Sequence, residues 1–123
     1  MSSKRRVYRV AEQIQILIAQ ALQRVADPRF GLVTITSAVV SPDLRVAKVF
    51  WVVSGDQERR DEVAEAFESA KGLFRRSLGK ELGLRVTPEL VFFYDNTLDT
   101  RDEIEELLSR ARARDEGPQE HKP

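Results

Sequence analysis

The chain has 123 residues, enough for one domain and too few for two ordinary ones. Hydrophobic residues make up 41% and charged residues 33%, so the chain can bury a core and keep a well-solvated surface, while a formal net charge of +0 leaves any attraction to nucleic acid to local clusters rather than to the total. The absence of cysteine excludes disulfides, thiol catalysis and thiolate metal sites and fits a reducing compartment.

The opening residues 1–9 are polar and basic, with Lys4, Arg5, Arg6 and Arg9 and no acid. They lack the apolar run of a signal peptide, and residues 1–6 are expected to be flexible. Val10, Ile14, Leu17, Ile18, Ala21, Leu22 and Val25 then recur at three- and four-residue steps, the stripe of a helix with one buried face. Asp27-Pro28 ends it, because the residue before a proline avoids the helical region. Residues 32–40, LVTITSAVV, are rich in β-branched side chains and predict a strand. Ser41-Pro42-Asp43 is a turn, and residues 44–53 predict a second strand, antiparallel to the first because the link is short. On that strand Arg45 and Lys48 point to opposite faces, and Trp51, read as core, shares a face with Arg45, Ala47, Val49 and Val53. From about Glu58 a helix begins, with Val63, Ala64, Phe67 and Ala70 on one side and an acidic, solvated opposite side. Residues 89–95, ELVFFYD, form the third strand. Thr100 and Glu103 fit a capping box for a short last helix carrying Ile104, Leu107, Leu108 and Ala111. Residues 115–123 have no periodicity and are expected to be a disordered tail, which leaves 1–114 as a single domain. The solitary histidine, His121, stands in that tail and is read as solvated rather than as a base or metal ligand. No stretch approaches the roughly 18–20 apolar residues of a membrane span, so a cytoplasmic protein is expected.

The segment ESAKGLFRRSLGKEL, residues 68–82, poses a problem of its own. It reads as helix, yet it holds Gly72 and Gly79, each costing about 1 kcal/mol relative to alanine. At about 100° per residue, Val63, Phe67, Ala70, Phe74 and Leu78 group on one side, with Gly72, Arg75, Arg76, Gly79 and Lys80 broadly opposite. Both glycines are therefore expected to face outward and let a phosphate approach the backbone. A break at Ala70-Lys71-Gly72 would give the second half its own helix N-terminus, ringed by Lys71, Arg75 and Arg76. Lys71, Arg75, Arg76, Lys80 and Arg85 face one acid, Glu81, between positions 71 and 85. This segregation makes a local positive field.

Taken in order, the amphipathic first helix leads into Asp27-Pro28-Arg29, and Ser41-Pro42-Asp43-Leu44 precedes Ala47-Lys48-Val49. Ala70-Lys71-Gly72 precedes residues 73–76, Leu78-Gly79-Lys80 and Leu84-Arg85. Pro88-Glu89-Leu90 and Phe92-Phe93-Tyr94-Asp95 precede the Ile104, Leu107, Leu108 helix. This series resembles the bacterial ribosome-binding factor A family of small-subunit maturation factors. The resemblance implies an α+β, type II KH-like fold, α-β-β-α-kink-α-β, with a three-stranded sheet covered by helices on one face and a short C-terminal helix. KH modules clamp RNA with a G-x-x-G loop between two helices; in this family an Ala-x-Gly kink replaces the loop, matched here by Ala70, Lys71 and Gly72. The resemblance further implies binding to the free 30S subunit near the 5′-terminal helix of 16S rRNA, assistance to its folding and 5′-end processing, a role in cold adaptation, and release helped by a ribosome-associated GTPase. It implies no covalent chemistry. One departure stands out: where the family commonly has a glycine and a basic residue before the last helix, this chain has Asp99-Thr100-Arg101-Asp102-Glu103.

The expected RNA-binding residues are Lys71, Gly72, Arg75, Arg76 and Lys80, extended by Arg5, Arg6 and Arg9, with Arg45, Lys48 and Arg85 as further candidates. No catalytic residue, metal or cofactor is expected, and the chain is expected to be a monomer. The alternatives are a general KH-type RNA-binding protein and a protein–protein adaptor using the acidic helix and the apolar sheet. A carboxylate enzyme built on Asp95 and Asp99 is disfavoured, since a turn or capping role suits both.

Overall fold

The computed structural model describes the backbone of residues 3–119 and the side chains of residues 4–113. His121, the rest of the expected tail from 120 onward, and residues 1 and 2 lie outside the described residues. Among the described residues there are three α-helices, one short 3₁₀ turn and three strands.

The first helix, α1 (Ser3–Arg24), puts the predicted stripe into the core. Val10, Ile14, Ile18, Ala21 and Leu22 are buried, and Leu17 and Val25 pack partly against them. The helix takes in Lys4, Arg5 and Arg6 and stops three residues before the expected end. Between helix and sheet stands an element the sequence reading missed, a 3₁₀ turn over Pro28–Phe30. Asp27 caps it by accepting the Arg29 N–H at 3.0 Å, and the turn drops Phe30 into the core against Phe67, with ring centroids 4.8 Å apart.

Strands β1 (Thr34–Val40) and β2 (Val46–Val52) are antiparallel. The turn between them is held by one hydroxyl: Ser41 Oγ accepts the N–H groups of Arg45 and Val46 and donates to Asp43 Oδ1 at 2.7 Å. Strand β3 (Glu89–Tyr94) pairs with β2 in parallel, giving the order β1-β2-β3. A parallel pair needs a crossover, and helix α2 (Gln57–Leu82) supplies it. On the core face of the sheet Ala47, Val49, Trp51 and Val53 are buried as expected, whereas Arg45 lies just before β2 and is exposed. Trp51, Phe67, Phe74 and Phe92 form one aromatic cluster beneath α2. The helices α1 and α2 cover this face alone. On the other, Phe50 stacks on Phe93 at 5.7 Å, and Val39 and Phe93 remain 55% and 41% exposed.

Two boundaries differ from expectation. Helix α2 is one continuous element from the Asp56 cap to Gly83, a residue with φ of 65° that ends it; it does not begin again at Gly72. Helix α3 starts at Thr97 and continues to Gln119, so Thr100 lies within its first turn, its N–H bonded to the Asn96 carbonyl. The start is fixed instead by Asp95, whose Oδ1 accepts the Thr97 N–H at 3.0 Å. Along α3, Ile104, Leu107 and Leu108 are exposed, so its apolar side does not cover the core.

Candidate nucleic-acid interface

The last turns of α1 and the second half of α2 border a groove of about 390 Å³. Leu17, Ala21 and Val25 supply its apolar wall, and Arg24, Arg76 and Lys80 its charge, against one acid, Glu81. Gly72, Arg76 and Lys80 fall at four-residue steps, which places them in one row on the helix surface. Among the described residues, Arg24, Arg76 and Lys80 have no side-chain hydrogen bond or ion pair, so their charge is free to meet a ligand. Arg24 is absent from the expected set; its only sequence signal is its place just off the apolar stripe, in the last turn of α1.

The two glycines play different parts. A Cβ added at Gly72 would meet nothing within 4 Å, so that position is open, as expected. Because α2 is continuous, the Gly72 N–H belongs to the helical ladder, and the expected free N-terminus does not exist. Gly79 is not open. A Cβ there would stand 2.8 Å from Thr87 Oγ1, so its bare backbone admits the connector between α2 and β3 rather than a phosphate.

The remaining candidates divide into separate places. Arg75 Nη2 donates to the Thr87 carbonyl at 3.1 Å, tying α2 to the same connector. Lys71 Nζ lies 3.1 Å from Glu68, and nine residues separate it from Lys80, which puts the two on opposite sides of the helix. Lys48 sits on the outer face of the sheet between Val39 and Val91, away from both helices. Arg5 and Arg9 are exposed on the first turns of α1. Arg6, Arg45 and Arg85 come together around a second cavity of about 230 Å³. The candidates therefore do not form a single patch.

The carboxylates considered for catalysis are engaged in architecture. Asp95 Oδ2 accepts the Thr36 hydroxyl at 2.6 Å; that bond, with those from Thr97, holds its pKa below the usual carboxylate range. A bulge in β1 between Ile35 and Ser37 accommodates Thr36. Asp99 pairs with Arg60 at 2.9 Å. Asp27 and Asp43 are also held low, the first chiefly by the Arg29 side chain and the second chiefly by the Ser41 hydroxyl. Among the described residues, no group of three His, Asp or Glu side chains could hold a metal ion, and no helix is long and apolar enough to cross a membrane.

These features define an α+β domain of type II KH-like order that presents unneutralised cations along a helix pair. A family model described as ribosome-binding factor A matches residues 6–108, and the chain belongs to that family. A ribosome-binding factor A of Streptomyces griseus is 47% identical over 116 residues, which covers 94% of this chain and 73% of that protein. The solution structure of a Thermotoga maritima protein described as a putative ribosome binding factor A is 38% identical, with a TM-score of 0.66, and covers 72% of this chain and 85% of that one. A Thermus thermophilus ribosome binding factor A homology model, fitted into the cryo-EM map of a 30S complex, matches the fold with a TM-score of 0.59 at 24% identity, covering 69% of this chain and 90% of that one.

Proposed function

We propose that this chain binds the free 30S ribosomal subunit through phosphates of 16S rRNA near its 5′-terminal helix, and assists folding and 5′-end maturation of that RNA without covalent chemistry. The observation that carries the reading is the row Gly72, Arg76, Lys80 beside Arg24, whose cations have no partner among the described residues. Guanidinium and ammonium groups on a fixed helix offer charge-assisted bonds to phosphate oxygens, and such contacts position a protein without reading sequence. The family membership and the 30S complex of a relative support the choice of RNA. Action follows from differential affinity: on an immature subunit, a factor that binds the productive arrangement of a rearranging RNA helix more tightly than its alternative shifts the population toward the productive one. Arg5 and Arg9 extend the contact at the start of α1, while Lys71, Arg75 and Lys48 contribute less, because the first two are already engaged and the third faces elsewhere. The same reading makes the factor a cytoplasmic monomer active in cold adaptation and released with the help of a GTPase.

Sucrose-gradient sedimentation of a cell lysate at low and high salt tests this. Co-migration with free 30S but not 70S, lost as salt rises, is the expected result. Presence in the light fractions alone at low salt would overturn it. A second reading, a protein adaptor, is favoured by the exposed Val39 and Phe93 on the outer sheet face; it requires association that salt does not weaken.

A further inference from the structure

Arg6, Arg45 and Arg85 are far apart in sequence and line one cavity. They arrive from three elements: the first turns of α1, the β1–β2 turn and the connector after α2. Each is carried on an anchored stretch of backbone. The Arg45 N–H is bonded to Ser41 Oγ and Asp43 Oδ1, and its carbonyl accepts the Glu89 N–H at 2.8 Å, so its backbone is fixed on both sides. Arg85 follows Gly83, which closes α2, and Leu84, which packs against the core. Arg6 is carried by the helix whose Val10 and Ile14 are buried.

Three cations around one cleft repel one another, and arginines that serve architecture in this molecule are paired: Arg29 with Asp27, Arg59 with Glu62, Arg60 with Asp99. Among the described residues, the side chains of Arg6, Arg45 and Arg85 make no hydrogen bond or ion pair. The one acid on the cavity, Asp43, spends its Oδ1 on the Ser41 hydroxyl and the Arg45 N–H, although it does feel the Arg45 charge. Three guanidinium groups thus line one cleft with no partner among the described residues, and the planar guanidinium is the donor with which arginine recognises phosphate.

We propose that Arg6, Arg45 and Arg85 form a second phosphate-binding pocket that takes an RNA backbone phosphate, separate from the α1–α2 groove. Arg6 and Arg24 are 18 positions apart on α1, so the two sites lie about 27 Å from each other along the helix. The bound RNA therefore runs along α1 and is held at both ends. The inference rests on the RNA-binding reading above.

The test compares free 30S binding across a salt series for the wild type, Arg45→Gln with Arg85→Gln, and Arg76→Gln with Lys80→Gln. The pocket variant is expected to bind about tenfold more weakly at low salt, with a log K against log salt slope shallower by about one. Equal thermal midpoints exclude misfolding. A parallel titration of the wild type with inorganic phosphate, read at the arginine Nε–H signals, is expected to move Arg6, Arg45 and Arg85 before Arg5 and Arg9. A pocket variant that binds like wild type while the groove variant is weakened overturns this inference and leaves the RNA reading standing, and so do arginine signals that all move alike. Failure of the wild type to bind the subunit removes both.

Discussion

In the first half of α2, Arg59 donates to the Gly31 carbonyl and lies 3.6 Å from Glu62, while Arg60 pairs with Asp99 and stacks 4.2 Å from the Tyr94 ring. In the second half, Arg76 and Lys80 stand beside a groove without a partner among the described residues. The inner sides of the two halves are alike: Phe67 and Phe74 are both fully buried and 5.8 Å apart. One helix thus uses the same residue types in two ways. Its first half spends Arg59 and Arg60 on holding the connections of the fold in place; its second half spends Arg75 in the same way and pairs Lys71 with Glu68, but leaves Arg76 and Lys80 for a ligand. Charge count alone hides this, because the difference lies in what stands across from each cation.

The largest expected effect tests the shared inner side. Phe67→Ala and Phe74→Ala should each cost about 3–5 kcal/mol of unfolding free energy, read by chemical denaturation. A much smaller loss at Phe74 would mean that the second half is loosely held and that its surface is not pre-formed. Next comes the contrast in cations. Arg60→Ala should destabilise by about 1 kcal/mol through loss of the ion pair and the ring contact, whereas Arg76→Ala should stay within about 0.5 kcal/mol of wild type. Equal losses would erase the distinction between the halves.

The glycines sharpen it further. Gly72→Ala should raise stability by about 0.5–1 kcal/mol, because the site is open and helical. At Gly79 the same change forces Thr87 to move and should gain nothing or lose. A gain of equal size at both positions, measured by thermal unfolding, would contradict the account of the connector.

Much of this architecture is legible in the sequence where periodicity carries it. The α1 stripe, the two antiparallel strands and the burial of Trp51 follow from the three-to-four and two-residue repeats. What the repeats could not carry depends on residues distant in the chain. Glycines suggested a break in α2, yet one glycine answers to Thr87 and the helix continues through the other. A capping box fits Thr100 and Glu103, yet α3 starts at Thr97, where the first N–H is capped by Asp95, which also binds Thr36 across the sheet. The 3₁₀ turn at Pro28–Phe30 is too short to leave a period. At the site, the Lys71–Glu68 pair is a three-residue step and was within reach of a helical reading. The Arg75 bond to Thr87 and the meeting of Arg6, Arg45 and Arg85 are tertiary and left no local trace.

The smallest effect concerns acid. Thr36 and Thr97 stabilise the ionised form of Asp95, so its folded pKa lies below that of the unfolded chain, about 3.9. The resulting stability is present in full above that value and is lost as pH falls through the folded pKa. Asp95→Asn should flatten the fall of the unfolding midpoint below about pH 4, and an unchanged acid limb would remove Asp95 from the anchor of α3.

The most direct test of the contrast within α2 is equilibrium binding of free 30S subunits to three proteins: the wild type, Arg60→Gln, and Arg76→Glu with Lys80→Glu. The account expects wild-type affinity for Arg60→Gln, and for the double reversal a loss of at least tenfold with a shallower salt dependence. Wild-type binding by the double reversal, with an unchanged salt slope, would contradict it.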